Sequence, residues 1–196
     1  MLHKRSDKNS HLDTVLYEID MLRHCSKTLA AKKAKASESD ESQAEYNLVI
    51  EGFLIHLRNL LAFFTTLHSI PSDLLLDHPE VWYEKSLDEK EYSDLRDKIR
   101  AFNENHSEML NGGKKLDCHQ LISKFLQHCT PERYEQAIGW DIEKMAAEME
   151  PILADFEKRF PPATAPATLP VVWPGSATCS TSTMRIGAVA AVVENK

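Results

Sequence analysis

The sequence predicts an all-α protein: a bundle of about five helices followed by a disordered C-terminal tail. Apolar residues recur at three- and four-residue steps over long stretches before residue 160, and capping residues, glycines and prolines interrupt those stretches at helix-length intervals. The last 36 residues hold five prolines, many alanines, serines and threonines, and only three charged residues. Such a composition does not support a packed core. We therefore assign residues 1–160 to a helical bundle domain and 161–196 to a low-complexity, largely disordered tail.

The composition is typical of a cytoplasmic globular protein. The 196 residues suit one domain, with 42% hydrophobic and 27% charged residues. Acidic residues outnumber basic ones by 30 to 23, so the net charge is -7, which argues against a DNA-binding footprint but leaves room for a local basic groove. The apolar run at 60–64 is too short to cross a membrane, and no signal peptide is predicted. The four cysteines lack the spacing of a disulfide framework, so reduced thiols are expected.

The first helix is predicted from about His11 to Ala34. Its inward face consists of Leu12, Val15, Leu16, Ile19, Leu22, Cys25 and Leu29. Lysines near its end suit the negative end of the helix dipole. The acidic, serine-rich segment 37–42 is expected to be an exposed linker.

The second helix, from about Glu41 to Ser69, is the most informative element. Ser42 and Glu45 have the spacing of a capping box at its start. One broad apolar stripe contains Tyr46, Val49, Ile50, Phe53, Leu57, Leu60, Leu61, Phe64 and Leu67. Ile55 and Phe63 lie outside that stripe, so the helix is apolar on more than one side. Such a helix is expected at the centre of the bundle, packed by several neighbours.

Residues 71–88 are expected to be irregular, with Trp82 and Tyr83 holding this loop against the bundle. Ser86 and Glu89 have the spacing of another capping box, which starts the third helix. The predicted apolar face of the third helix is Tyr92, Leu95, Ile99, Phe102, Met109 and Leu110. The glycines at 112–113 are expected to stop it, since glycine is favoured just beyond a helix C-terminus.

Three more helices are predicted after these glycines, at about residues 117–129, 131–138 and 141–160. Thr130 and Pro131 supply an N-cap followed by proline at the first helical position. Asp141 is expected to cap the last helix, and Pro151 to kink it. The fourth helix turns Leu121, Ile122, Phe125 and Leu126 inward.

Four polar residues interrupt the second helix and mark the candidate functional site. They are Glu51, His56, Arg58 and Asn59. At roughly 100° per residue, His56 and Asn59 flank one edge of the apolar stripe, and Glu51 and Arg58 lie on the opposite edge. Buried polar groups need partners. These residues therefore indicate either a polar site between helices or a network that only ties the helices together, and the second is the simpler reading.

Histidines and cysteines offer further candidates. His56, His106 and His128 would form a triad able to bind a metal or transfer protons if their helices converged, although three separately paired histidines are the simpler arrangement. Cys118-His119 and His128-Cys129 resemble a zinc pattern, but on one continuous helix its two ends lie about 15 Å apart, too far for one ion. No phosphate-binding glycine loop or hydrolase elbow occurs. We therefore expect no metal and no cofactor.

The central helix carries a family resemblance. The segment Glu51-Gly-Phe-Leu-Ile-His-Leu-Arg-Asn-Leu-Leu-Ala-Phe-Phe64 is similar to one in small, mostly uncharacterised bacterial helical proteins, and 122–133 with 140–142 is similar to their second block. These proteins resemble the HEPN superfamily of helical bundles, which includes RNases of toxin–antitoxin, phage-defence and RNA-processing systems as well as non-catalytic binding modules. The family's catalytic motif is Arg, a polar residue, several further residues and then His. Arg58-Asn59 match its start, whereas residues 62–65 occupy the expected His position and His68 follows about one turn later.

The resemblance implies a bundle that forms a homodimer and binds RNA or a protein partner. In a catalytic member, it implies that Arg58 contacts phosphate, that Asn59 orients it, and that His56 or His128 is the general acid/base. Because the histidine of the motif is missing from its place, the leading hypothesis is a cytoplasmic binding or interaction module outside the membrane. The alternative is a metal-independent RNase of a defence or toxin–antitoxin type. The sequence leaves open whether the chain is an enzyme.

Overall fold

The computed structural model describes residues 8–65, 75–76, 82–83, 89–110, 113–127 and 138–161. Within these ranges the chain forms five α-helices and one short antiparallel pair of strands, which confirms the predicted all-α class. The elements are α1 (Lys8–Lys35), α2 (Asp40–Thr65), α3 (Lys90–Asn105), β1 (Glu108–Met109), β2 (Lys115–Leu116), α4 (Cys118–Gln127) and α5 (Ile142–Arg159). The predicted tail beyond residue 161, and the predicted short helix at 131–138 except its last residue, lie outside the described residues.

α1 and α2 form a helical hairpin whose connection is shorter than predicted. Ser39 caps α2, because its Oγ accepts a hydrogen bond from the backbone N–H of Ser42 at 3.1 Å. The prediction that Ser42 and Glu45 form the capping box is therefore wrong. Glu45 instead forms a salt bridge with Lys32 of α1, with 2.6 Å between Oε2 and Nζ.

α2 occupies the centre of the bundle, as its apolar pattern predicted. It packs against α1, α3 and α4, and rings of its C-terminal half contact Phe156 of α5. Its buried apolar side chains are Phe53, Leu54, Leu57, Leu60, Leu61, Phe63 and Phe64. Of the two apolar residues predicted outside the main stripe, Phe63 is buried whereas Ile55 is 40% exposed. The predicted helix end at Ser69 lies outside the described residues.

Among the described helices, α2 is also the one that is long and apolar enough to cross a membrane by length and composition. Its most apolar window has a mean hydropathy of 1.5, and 44% of that window is buried inside the bundle. A helix that contacts neighbours on several sides needs apolar residues around most of its circumference. The central position of α2 is sufficient to explain its hydropathy.

An aromatic cluster joins α2, residues 82–83 and α5. Trp82 is fully buried, and its ring centroid lies 5.4 Å from that of Phe63 and 5.2 Å from that of Phe160. The indole Nε1 donates a hydrogen bond to the backbone carbonyl of Leu75 at 2.8 Å, which satisfies this buried donor. Tyr83 is also buried. The prediction that Trp82 and Tyr83 hold their loop against the bundle is confirmed.

The third helix ends earlier than predicted, and a β-hairpin follows it. α3 ends at Asn105 with His106 as its C-cap, whereas the sequence predicted a helix that continues to Leu110. Met109, predicted on the buried face, is 62% exposed. Gly113 does not stop a helix. Its φ of 79° instead belongs to the hairpin turn, a conformation that glycine adopts without steric cost. The prediction is wrong because asparagine, histidine and serine at 103–107 have low helix propensity.

A second, smaller hydrophobic cluster holds the hairpin. Its buried members are Leu110, Leu116, Leu121 and Phe125. Leu110 and Leu116 flank the turn, while Leu121 and Phe125 come from the inward face of α4, as predicted. The cluster fixes the hairpin beside α4 and so places the polar side chains of both elements along one surface.

The last helix begins and ends where the sequence predicts. Asp141 caps α5, since its Oδ1 accepts a hydrogen bond from the backbone N–H of Lys144 at 3.1 Å. At the other end, the backbone N–H of Phe160 donates to the carbonyl of Phe156. Pro151 lies on the exposed side, and the helix continues through it.

Candidate functional site

Arg58 projects from the middle of α2 toward α4. Its Nε donates a hydrogen bond to the Oγ of Ser123 at 2.8 Å, and the side chain is half-buried. This bond uses one of the five N–H donors of the guanidinium and ties the side chain to the neighbouring helix. The rest of the guanidinium lies at the edge of a groove between α2, α4 and the hairpin.

The groove has a volume of about 420 Å³ and a basic lining. Its lining residues are Arg58, Lys114, Leu116, His119, Gln120, Ser123 and Lys124. Three of these seven side chains, Arg58, Lys114 and Lys124, are positively charged at neutral pH, and none is acidic. Asp117 is the acidic residue that lies nearest in sequence to the groove residues of α4. It does not line the groove but caps α4, since its Oδ1 accepts a hydrogen bond from the backbone N–H of Gln120 at 2.8 Å. In a chain with net charge -7, we call this concentration of positive charge the basic groove.

Arg58 differs from the other arginines in the part of the chain that the structure describes. Each of the other four pairs with a carboxylate: Arg23 with Glu150 and Glu157, Arg96 with Glu89, Arg100 with Asp97, and Arg159 with Asp94 and Asp155. In one of these pairs, the hydrogen bond from Arg159 lowers the pKa of Asp94 to about 2. Among the described residues, Arg58 is therefore the arginine whose charge is not matched by a carboxylate.

His56 and Asn59 lie on the other side of α2, where they contact α1. The Nδ1 of His56 is 2.7 Å from Oε2 of Glu18, and Nδ2 of Asn59 donates to the same oxygen at 3.1 Å. The edge of the Tyr17 ring packs against the His56 imidazole, with 5.9 Å between centroids. The division of these residues between two edges agrees with the sequence prediction. It also means that Arg58 does not share a cleft with His56 or Asn59.

The remaining histidines do not form a cluster within the described residues. His106 pairs with Glu148 of α5 at 2.9 Å, whereas His56 pairs with Glu18 of α1. His128 and Cys129, and with them half of the apparent zinc pattern, lie outside the described residues. In the described ranges, no group of three histidine, cysteine, aspartate or glutamate side chains is close enough to hold a metal ion.

The two described cysteines behave as core residues, as the sequence predicted. Burial raises the pKa of the Cys118 thiol to about 12, with a smaller contribution from the negative charge of Asp117. Burial also raises the pKa of Cys25. Both side chains therefore stay protonated at neutral pH, in the form that is a poor nucleophile and a poor metal ligand.

Sequence reasoning singled out Arg58 of the basic groove, considered His119 only as part of an apparent zinc pattern, and missed the other lining residues. His119 is 4% exposed and lies in the same groove, with its backbone N–H held by Oδ1 of Asn103 at 2.9 Å. The polar edge of α4 carried a usable signal, because positions 119, 120, 123 and 124 share one side of a helix. Lys114 carried none, since it reaches the groove through a hairpin that the sequence did not predict.

No protein-family model matches the chain, and neither a curated protein nor a solved structure does. What the chain does is therefore inferred from the placement and charge of the residues just described.

Proposed function

We propose that this chain is a cytoplasmic, HEPN-like helical-bundle module that binds RNA in the basic groove without cleaving it. One observation carries the proposal: among the described arginines, Arg58 alone has no carboxylate partner, and it faces a groove that also contains Lys114 and Lys124. A cation without a counter-charge in an acidic protein attracts an anionic ligand. Arginine is particularly suited to phosphate, which it binds through two parallel hydrogen bonds.

The origin of the groove's cations in three different elements favours a ligand with several phosphates. These cations are Arg58 on α2, Lys114 beside β2 and Lys124 on α4. Phosphates repeat along a nucleic-acid backbone, so one strand can satisfy several cations at once and release counterions from each. Ser123 and Gln120 add neutral groups able to hydrogen-bond phosphate oxygens. The match of Arg58-Asn59 to the start of the HEPN motif supports RNA as that nucleic acid.

The geometry around α2 supports binding more than catalysis. A general acid/base must lie within hydrogen-bond reach of the reacting group. The Nδ1 of His56 is directed to Glu18 on the α1 side, opposite the side on which Arg58 meets Ser123. Asn59 is also committed to Glu18 and does not accompany Arg58 into the groove.

The Arg58→Ala variant tests the binding proposal. We expect its affinity for a short labelled RNA to fall by about tenfold, because one charge-assisted phosphate contact is lost. The slope of log affinity against log salt should become shallower by about 1, as expected for one phosphate contact fewer. Fluorescence anisotropy across a salt series measures both quantities.

Arg100→Ala is the matched control, because Arg100 is exposed and paired with Asp97 on α3. It removes the same formal charge outside the groove and should change affinity much less. Equal losses from both variants would mean that RNA responds to net charge and not to this groove. Unchanged binding by Arg58→Ala would refute the proposal outright.

A metal-independent RNase remains the second candidate, and His119 is the observation that favours it. This histidine lies in the groove with Arg58, where His56 does not, and His128 lies outside the described residues. In this reading Arg58 contacts phosphate and His119 transfers protons. Incubation of mixed RNA with the wild type, Arg58→Ala and His119→Ala tests it. Cleavage by the wild type that both variants lose supports the enzyme, whereas intact RNA in all three reactions supports the binding module.

Homodimerisation is part of the same proposal, since HEPN-like domains often form dimers. Multi-angle light scattering on the purified chain measures the assembly directly. A monomeric mass at working concentrations would remove the dimer from the proposal and leave the groove unaffected, because all its residues come from one chain.

A further inference from the structure

An exposed apolar strip runs along α2 beside the basic groove. It consists of the exposed residues Ala44, Leu48 and Ile55 and the half-buried Ala62, and we call it the α2 strip. Leu48 and Ile55 are 66% and 40% exposed, and they are two of the four large apolar side chains that are exposed within the described residues. Their spacing of seven residues places them on one face of the helix, about 10 Å apart along its axis.

The strip and the basic groove are continuous. Arg58 follows Ile55 by three residues and precedes Ala62 by four, and side chains at these spacings are neighbours on a helix surface. Arg58, which lines the groove, is therefore also a neighbour of the strip along the surface of α2. Glu51, seven residues before Arg58 on the same edge, marks where the positive surface ends. The proposed ligand surface thus combines cations with an apolar shelf, by which we mean the part of the α2 strip formed by Ile55 and Ala62.

The groove itself offers little to the faces of nucleobases. Its lining contains one apolar side chain, Leu116, and no tryptophan, tyrosine or phenylalanine. Proteins that bind single strands pair a positive groove with side chains, mostly aromatic, on which the unpaired bases stack. In this chain the cations lie beside the aliphatic side chains of Ile55 and Ala62, so that an unpaired base can contact apolar surface while its phosphate contacts a cation.

We propose that the α2 strip receives unpaired bases, so that the ligand of the basic groove is single-stranded RNA and not a duplex. Phosphates contact Arg58, Lys114 and Lys124, while one or two bases pack on Ile55 and Ala62. A duplex offers the same phosphates but keeps its base faces stacked inside, so it gains nothing from an apolar shelf. The inference rests on the proposed RNA-binding function and adds that the bound RNA is single-stranded.

The test compares a single-stranded RNA with the duplex of the same sequence, using anisotropy for the wild type and the Ile55→Ser variant. The wild type should bind the single strand more tightly than the duplex. Ile55→Ser should weaken single-strand binding by about fivefold, because apolar contact area is lost, and leave duplex binding unchanged. Circular dichroism confirms that the variant is folded, which is expected since Ile55 is exposed.

Met109→Ser is the matched control. Met109 is exposed like Ile55, but it pairs with Lys115 across the hairpin. Successive strand residues face opposite sides, so Met109 shares the side of Lys115 and not that of the groove residues Lys114 and Leu116. This variant should bind both RNAs as the wild type does.

Three results would overturn the inference, and each is distinct from failure of the proposed function. Equal affinity of the wild type for both RNAs removes the preference. If Ile55→Ser binds the single strand as the wild type does while Arg58→Ala binds it weakly, then bases do not pack on the α2 strip, although RNA still binds in the basic groove. A dimer that Ile55→Ser converts to a monomer in light scattering shows that a second copy covers the strip. If the wild type binds neither RNA, the proposed function itself fails.

Discussion

Replacing Phe156 by alanine is expected to lower the free energy of unfolding by about 4 kcal/mol. The Phe156 side chain is fully buried on α5 and lies at the centre of the aromatic cluster. Its ring centroid lies 5.0–5.9 Å from those of Phe63, Phe64, Trp82 and Phe160. Alanine removes the transfer free energy of the ring, its edge-to-face contacts with Phe63 and Phe64, and its tilted contacts with Trp82 and Phe160.

Urea denaturation followed by circular dichroism measures this loss. Phe156→Leu keeps most of the apolar volume and should cost much less, about 1.5 kcal/mol. Tyr17→Ala removes a ring that is 37% exposed and provides the surface comparison. An alanine variant at 156 within about 1 kcal/mol of the wild type would contradict the placement of Phe156 in a packed core.

Replacing Gly52 by valine is expected to destabilise the chain by about 2 kcal/mol. A Cβ at this position of α2 would lie 3.1 Å from the Sγ of Cys25 on α1, closer than carbon and sulfur normally approach. Alanine adds only this Cβ, and its better helix propensity, worth about 1 kcal/mol, offsets a small shift of the sulfur. Valine adds two further methyl groups at the same contact, and the helices must separate to accommodate them.

A double-mutant cycle with Cys25→Ala isolates the contact. Removal of the sulfur opens space for the valine, so the double variant should lose less stability than the sum of the two single variants. Chemical denaturation of the four proteins gives this coupling energy. Strictly additive losses would show that Gly52 is required for some reason other than the approach of Cys25.

The helices and their inward faces were predictable because a 3.6-residue period is a local property of the chain. The predicted inward residues of α1 are buried except Leu16, which is partly buried against the same core. Asp141 is the N-cap of α5 as its position indicated, because a cap acts within one turn. The start of α2 was predicted to within one residue, but its cap was misplaced from Ser39 to Ser42, since both are plausible caps and Glu45 pairs with Lys32 instead of completing a capping box.

The hairpin after α3 was not predictable from the pattern of apolar residues. Leu110 fits a helical stripe that continues from Phe102, but it packs instead with Leu121 and Phe125 of α4. That contact joins segments on either side of the glycine turn, so the apolar period within one helix does not reveal it, and the low helix propensity of residues 103–107 was the local signal against a longer helix. The error mattered for the site, because Lys114 enters the basic groove only through this hairpin.

The candidate functional residues show the same division between what a local pattern indicates and what contacts between distant segments decide. The sequence singled out Arg58, His56 and Asn59 because polar side chains in an apolar helix require partners. The partners themselves, Glu18 on α1 and Ser123 on α4, are 38 or more positions away along the chain. Whether Arg58 contacts phosphate in the protein's function stays a prediction, as does the relation to HEPN proteins.

By itself, the sequence determined that this chain is a helical bundle centred on α2, and it predicted that any site lies where polar residues interrupt that helix. Both conclusions follow from interactions within a few helical turns. Over that distance, the spacing of residues along the chain determines the direction in which their side chains point. The tertiary structure decided that Arg58 turns to α4 while His56 and Asn59 turn to α1. It also decided that Lys114, His119 and Lys124 join Arg58. The reason is physical: which side chains share a surface depends on how helices pack against one another, and packing is a property of pairs of helices that no single helix encodes.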